Sequence, residues 1–121
     1  MDHAPELDGT WLVTSYLADE EMTVPDHRAE AYMSIDGDHV SGTMGLNRFM
    51  GQMQDGLPGQ NLAVTRMSGP PELMRQEDIL LGHLMGTDTI EVVEEGMTMS
   101  REGLTLVELR RRGTESPEPS S

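Results

Sequence analysis

Short alternations of apolar and polar residues run through most of the chain, separated by glycines and acidic turns, as expected of half-buried β-strands. The run GTWLVTSYL is rich in β-branched and aromatic residues and predicts a strand over 10–17. In AYMSIDGDHVSG two short strands flank Asp36-Gly37, a pair that supplies the positive φ of a tight hairpin. Two later hairpins follow the same logic, turning at Glu95-Gly96 and Glu102-Gly103, with strands near Thr89–Val93, 97–100 and 104–110. The stretch ADEEMTVPDHRAE is polar, carries Pro25 and reads as a surface connection.

One segment changes period. In SGPPELMRQEDILLGHLMG, Leu73, Leu80 and Leu84 fall on one helical face, with Met74, Leu81 and Met85 beside them. Pro70-Pro71 opens it where a missing N–H costs a helix nothing, and Glu72 places negative charge in the first turn. Gly82 weakens the interior by about 1 kcal/mol relative to alanine. Gly86 suits a C-terminal cap, so the pattern predicts one amphipathic helix over 71–85. One helix cannot cover both faces of about seven or eight strands. The expected fold is therefore mainly β, a small antiparallel sheet curled into a barrel or half-open barrel, with the helix plugging its end or seam. Residues 1–6 read as a loose arm, 7–112 as the single domain, and the Pro/Ser/Glu-rich 113–121 as a disordered tail.

Composition narrows the function. The chain of 121 residues carries 22 Asp+Glu against 8 Lys+Arg, a net charge of −14. Such a balance argues against nucleic acid and anionic membranes, because phosphate contacts need clustered cations. Arg110-Arg111-Arg112 is short and lies at a strand end. No apolar run approaches the ~20 residues needed to span a bilayer, and MDHAPELDG lacks the basic and apolar regions of a signal peptide. As written, the chain is expected to be cytoplasmic and monomeric, although a removed lipoprotein or secretory signal would leave the same picture. With no cysteine, disulfides, thiolate nucleophiles and iron–sulfur clusters are excluded. Eleven methionines replace scarce aromatics, filling a Met-rich core or forming an adaptable binding surface.

Four stretches in order carry a family resemblance: LDGTW, VSGTMGLNRFMG, LAVTRMSGPPELMRQEDILLGHL and GMTMSREGLTLVEL. Together they resemble the META domain, the family of the bacterial HslJ heat-shock lipoproteins, from about Leu7 to Leu109. The family reads roughly G-x-W, then G-x-x-G-C-N-R-F, then T-R-M-A-C with a helix carrying M-x-x-E. The matching residues are Gly9 and Trp11; Gly42, Gly45, Asn47, Arg48 and Phe49; Thr65, Arg66 and Met67; and Met74 with Glu77. Leu46 and Gly69 fall near the places where many members carry cysteines. The absent cysteines and lipoprotein signal fit a reducing, cytoplasmic setting. The resemblance implies a lipocalin-like barrel with one helix and links to stress tolerance, drug resistance, motility and secretion or virulence. It implies no enzyme and no cofactor.

The residues themselves offer little catalytic chemistry. His3, His27, His39 and His83 show no metal spacing, and Asp36 and Asp38 flank a turn too short for an EF-hand. Ser15, Ser34, Ser41, Ser68 and Ser100 lie in no nucleophile-elbow context. The carboxylate pairs Glu20-Glu21 and Glu94-Glu95 offer glycosidase chemistry in principle, but read as solvated edges. SGTMGLNRFMG lacks the Lys-Ser/Thr of a Walker loop. Its Arg48 either grips a carboxylate or phosphate or pairs with a helix carboxylate such as Glu77, while Asn47 caps a turn. Arg66 and Glu77 read as a salt bridge between barrel and helix. The leading expectation is a non-enzymatic, stress-associated accessory or binding module with an unknown protein partner. The alternative is a carrier of a small apolar ligand in the barrel interior; a hydrolase using acidic residues ranks third. The motif's apolar setting predicts a partly buried, paired Arg48, so that Arg48→Ala lowers the denaturation midpoint sharply while Arg111→Ala hardly moves it.

Overall fold

The longest apolar alternation becomes the longest strand. In the computed structural model, which describes residues 5–58 and 61–112, β1 runs Gly9–Ala18. It buries Trp11 and Val13, then Tyr16 and Ala18. The change of parity falls where its pairing with the last strand is irregular, between Val13 and Ser15. A bulge there keeps both halves aimed at the core.

The other elements follow as β2 (Glu21–Thr23), β3 (Tyr32–Asp36), β4 (His39–Thr43), β5 (Arg48–Gln52), β6 (Ala63–Val64), α1 (Pro71–Gly86), β7 (Thr89–Val93), β8 (Gly96–Arg101) and β9 (Leu104–Arg111). They form one antiparallel sheet in the order β6-β5-β4-β3-β1-β9-β8-β7, with β2 paired to the end of β1. Core residues come from strands along the whole order, including Phe49 on β5, Met33 on β3, Trp11 on β1, Val107 on β9 and Met97 and Met99 on β8. All join one cluster with Leu80 and Leu84 of the helix. A flat sheet cannot bring its two ends to one core, so the sheet curls. Its edges β6 and β7 do not pair, and the barrel is half-open. The expected fold class is thus what the chain forms.

Helix α1 lies across one end of the curl. Its Arg75 pairs with Asp19 at 2.8 Å, and His83 Nε2 donates to the Leu17 carbonyl at 2.7 Å, both on the β1–β2 hairpin. Its buried face is Leu73, Gln76, Glu77, Leu80 and Leu84, so two polar residues sit among the predicted leucines. Pro71 opens the helix as expected, but Gly86 is not its cap. The chain leaves through Thr87 in an extended conformation, and the Thr87 hydroxyl donates to the His83 carbonyl at 2.7 Å. That hydroxyl satisfies a terminal carbonyl without the left-handed turn that glycine would provide.

Turn positions also shift. The β3–β4 loop is Gly37-Asp38, and the β7–β8 loop is Glu94-Glu95, one residue earlier than expected, with Glu94 at φ 57°. The β8–β9 turn sits at Glu102-Gly103 as predicted. Asp19 and Glu20, both at positive φ, make a fourth tight hairpin inside the supposed surface connection. Residues 1–4 and 113–121 of the expected arm and tail lie outside the described residues, whereas Pro5–Leu7 form a turn of 3-10 helix and Leu7 is buried.

The expectation for Arg48 and Arg111 reverses. Arg48 points outward on β5, because its neighbour Phe49 takes the inward position and strand side chains alternate. It is exposed and makes no ion pair among the described residues. Arg111 instead lies 4.3 Å above the ring of Trp11, donates to the carbonyls of Asp8 (2.6 Å) and Glu6 (2.9 Å), and faces Glu95 at 3.4 Å. It pins the N-terminal turn over the deepest core aromatic, whose indole N–H bonds the Leu7 carbonyl at 2.9 Å. Arg111→Ala is expected to cost about 1–3 kcal/mol in urea denaturation, and Arg48→Ala within about 0.5 kcal/mol. An equal or larger loss for Arg48→Ala contradicts this placement.

Candidate functional site

The β4–β5 connection, Met44 to Asn47, is where the sequence motif meets the helix. Met44 is fully buried and anchors the loop in the core. Gly45 passes so close to α1 that a Cβ there would stand 2.7 Å from the Leu73 carbonyl oxygen and 3.0 Å from the Cβ of Glu77. Only glycine permits that approach. The contact delivers the next two backbone N–H groups to the Glu77 side chain.

Glu77 is 6% exposed and has no cationic partner among the described residues. Its Oε1 accepts the N–H of Leu46 at 2.8 Å and the N–H of Asn47. Its Oε2 accepts the amide Nδ2 of Asn47 at 2.9 Å. A buried carboxylate is tolerated only when donors replace its water, and three do so here. The expected ion pairs of Glu77 with Arg48 or Arg66 do not form. Arg66 is exposed, and backbone and amide donors reach the carboxylate without burying a second charge.

Asn47, itself 6% exposed, uses its whole side chain. Its Oδ1 accepts the Thr65 hydroxyl at 2.9 Å and the Met67 N–H at 2.6 Å. Its Nδ2 also donates to the Met67 carbonyl at 3.3 Å. The Asn47 carbonyl accepts from the Thr43 hydroxyl at 2.8 Å. Gly45, Asn47, Thr65 and Glu77 therefore converge in one clasp joining the β4–β5 loop, the segment after β6 and the helix. Gly42, at φ 150°, is held next to it on β4, where a Cβ would collide with the Tyr32 carbonyl at 2.2 Å. Phe49 is core, Met74 is partly exposed, and Gly9 and Trp11 sit apart under Arg111. Leu46 packs against Gly69, where a Cβ would lie 2.8 Å from Leu46 Cδ2. The two positions that the resemblance matched to cysteines are thus in contact.

Gln76 was not singled out from the sequence. It is 3% exposed; its Nε2 donates to the Met44 carbonyl at 2.9 Å, and its Oε1 accepts the Asp26 N–H at 2.7 Å. The signal was present, since Gln76 lies three residues after Leu73 and four before Leu80 on the buried face. The Arg28 guanidinium bonded to Asp26 holds that carboxyl far below its ordinary range and fixes the connection that Gln76 grips.

Beside the clasp, α1 and the 64–68 segment bound an open groove of about 420 Å³. Asn47 and Glu77 form part of its floor, with Leu81, while Arg66, Met67, Met74 and Asp78 line the sides. Met67 is 55% exposed. The barrel interior is occupied by the side chains of one continuous core, with Met33, Met44, Met97 and Met99 all at 2% exposure or less. Among the described residues, no three His, Asp or Glu side chains gather where they would hold a metal ion. No helix among them is long and apolar enough to cross a membrane.

A half-open antiparallel barrel, closed at one end by a single helix through a buried Asn–carboxylate clasp, defines a class of small β-domains. The META domain profile matches residues 5–113, and the chain belongs to that family. The fold is also that of an NMR structure of a protein from Burkholderia xenovorans, with a TM-score of 0.72 and 22% identity over 89% of this chain and 85% of that one. No curated protein matches.

Three substitutions test the clasp by chemical denaturation. Glu77→Gln replaces an acceptor with a donor and is expected to cost about 1–3 kcal/mol. Asn47→Asp sets a second buried carboxylate against the first and should cost about 3–5 kcal/mol. Gly45→Ala forces the loop off the helix at about 1–3 kcal/mol. If Asn47→Asp is as stable as the parent, the hydrogen-bond assignment is wrong.

Proposed function

We propose that the chain is a non-enzymatic accessory module that acts by binding a partner, in the stress-response setting implied by its family resemblance. The observation that carries this reading is the commitment of the motif's two buried polar side chains, Asn47 and Glu77, to the fold. Every donor and acceptor of the Asn47 amide, and both oxygens of Glu77, are taken by neighbouring protein groups. A general acid, base or nucleophile needs a free position toward substrate, and this buried pair offers none. What remains available is the groove that the clasp shapes.

That groove has the makings of a docking site. Arg66 stands exposed and without an ion pair among the described residues, in a chain where acids outnumber cations 22 to 8. Met67 and Met74 flank it with flexible apolar surface, which adapts to a partner at low cost. A partner segment carrying an apolar side chain next to a carboxylate fits this chemistry. The carrier reading requires interior volume, and the interior is taken up by aliphatic, methionine and aromatic side chains.

The test is a pull-down from stressed cells with parent and Arg66→Glu/Met67→Ser baits. Both side chains project from the surface, so the two baits should share a denaturation midpoint. The expected result is a reproducible partner retained by the parent and lost by the variant. Turnover of a substrate by the pure protein, abolished by one point mutation, would overturn the proposal.

A further inference from the structure

The open seam of the barrel presents a second surface. Strand β7 ends the sheet order, and among the described residues its outer backbone groups have no partner strand. Beside it lies a groove of about 380 Å³ floored by Leu7, Leu57, Ile90 and Val92. Ile90 and Val92 stand opposite the buried Met99 and Met97 of β8, yet are themselves only half-buried. On β8 the methionines are covered on both sides by strands; on β7 one side is open. A further strand would complete that burial and pair the free N–H and C=O groups together.

Exposed edges are usually blunted by charged side chains, lysine above all, by proline, a bulge or extreme shortness. Strand β7 has no lysine, proline or bulge, and its one charge is Glu91. It is five residues long, pairs with β8 in unbroken register, and reads Thr-Ile-Glu-Val-Val. Charge is what selects its occupant. Glu91 projects from the outer face, Glu94 and Glu95 make the turn at one end, and Glu6, Asp55 and Asp88 rim the groove. Asp88 accepts the Glu102 N–H and the Thr89 hydroxyl, both at 2.9 Å, which fixes a negative charge at the start of the strand. A second copy of the chain fits poorly. The two-fold pairing that overlaps the whole strand puts Glu91 opposite Glu91, and like charges directly opposed across a ladder are destabilising.

We infer that β7 accepts an extended basic segment of a partner polypeptide as an added strand. Alternate apolar side chains of that segment enter the groove over Ile90 and Val92, and its cationic side chains face Glu91 and the rim carboxylates. This surface shares no residue with the groove beside α1, so either proposal stands or fails without the other.

The probe is the synthetic peptide Ac-RVRVRVR-NH2, titrated into the full-length, isotope-labelled protein and followed by NMR and amide hydrogen exchange. Two controls accompany it: the same peptide with every backbone nitrogen methylated, and Ac-EVEVEVE-NH2. The expected result is shift changes and new exchange protection concentrated on Asp88 to Val93. The methylated peptide should bind about tenfold more weakly or worse, since it keeps the charge but loses the ladder donors. The acidic peptide should not bind. Glu91→Arg, an outward substitution, should weaken binding of the basic peptide several-fold at an unchanged denaturation midpoint. Equal binding of the methylated peptide would reduce the effect to charge attraction and overturn the inference. So would shifts spread over acidic surface away from β7, or β7 amides already protected in a dimer seen by sedimentation.

Discussion

A carboxylate inside a small protein must be given donors or it will not stay there, and the placing of Glu77 sets much else in this structure. Its oxygens need N–H groups from outside the helix, because the helix's own are spent within it. The β4–β5 loop supplies three, but only by lying against α1, and that contact demands glycine at position 45. Asn47, once committed to Glu77, has acceptor capacity left, and this draws in Thr65 and Met67. One buried charge thus orders a loop, a strand end and a helix docking angle. Non-directional apolar packing, in a core that includes the pliable Met33, Met44, Met97 and Met99, specifies each of the three less sharply.

The rest of the barrel is held differently. At the end of the curl opposite α1, Arg111 and the indole of Trp11 grip the carbonyls of the first turn. Between the two ends, alternating side chains of the curled sheet fill the interior. The sheet stops short of closure, which leaves β7 as an edge. The fold is therefore cross-linked where its polar networks sit and incomplete along one side, and both proposed recognition surfaces lie next to those features. The family shows what the domain is; the groove beside α1 and the seam at β7 are proposals for how it meets other molecules.

Much of the fold was legible because it rests on periodicity. The spacing of Leu73, Leu80 and Leu84 located the helix to within a residue, and Glu102-Gly103 placed a hairpin. The misses have physical causes. Asp19 and Glu20 form a tight turn at positive φ without glycine, so the sequence carried no turn signal there. Thr87 caps α1 with its hydroxyl, a role invisible to a search for a glycine cap. The clasp was half-legible. The family motif picked out Asn47, Thr65 and Glu77, and Glu77 was expected to tie the helix to the barrel, but through an arginine, with Asn47 only capping a turn. Charge complementarity suggested that pairing, whereas strand parity turned Arg48 outward and left the buried donor role to an amide and two backbone groups. Gln76 shares the same buried face and was overlooked because a polar residue between leucines reads as solvent-facing.

The most direct test of the central claim is a double-mutant cycle between Asn47→Ala and Glu77→Ala, read by equilibrium denaturation. Because the two side chains hold each other through a bond that neither replaces elsewhere, the pair should show a coupling of about 1–3 kcal/mol. Losses that simply add, to within about 0.5 kcal/mol, would mean that the helix is held to the barrel by packing and that the clasp does not organise the fold.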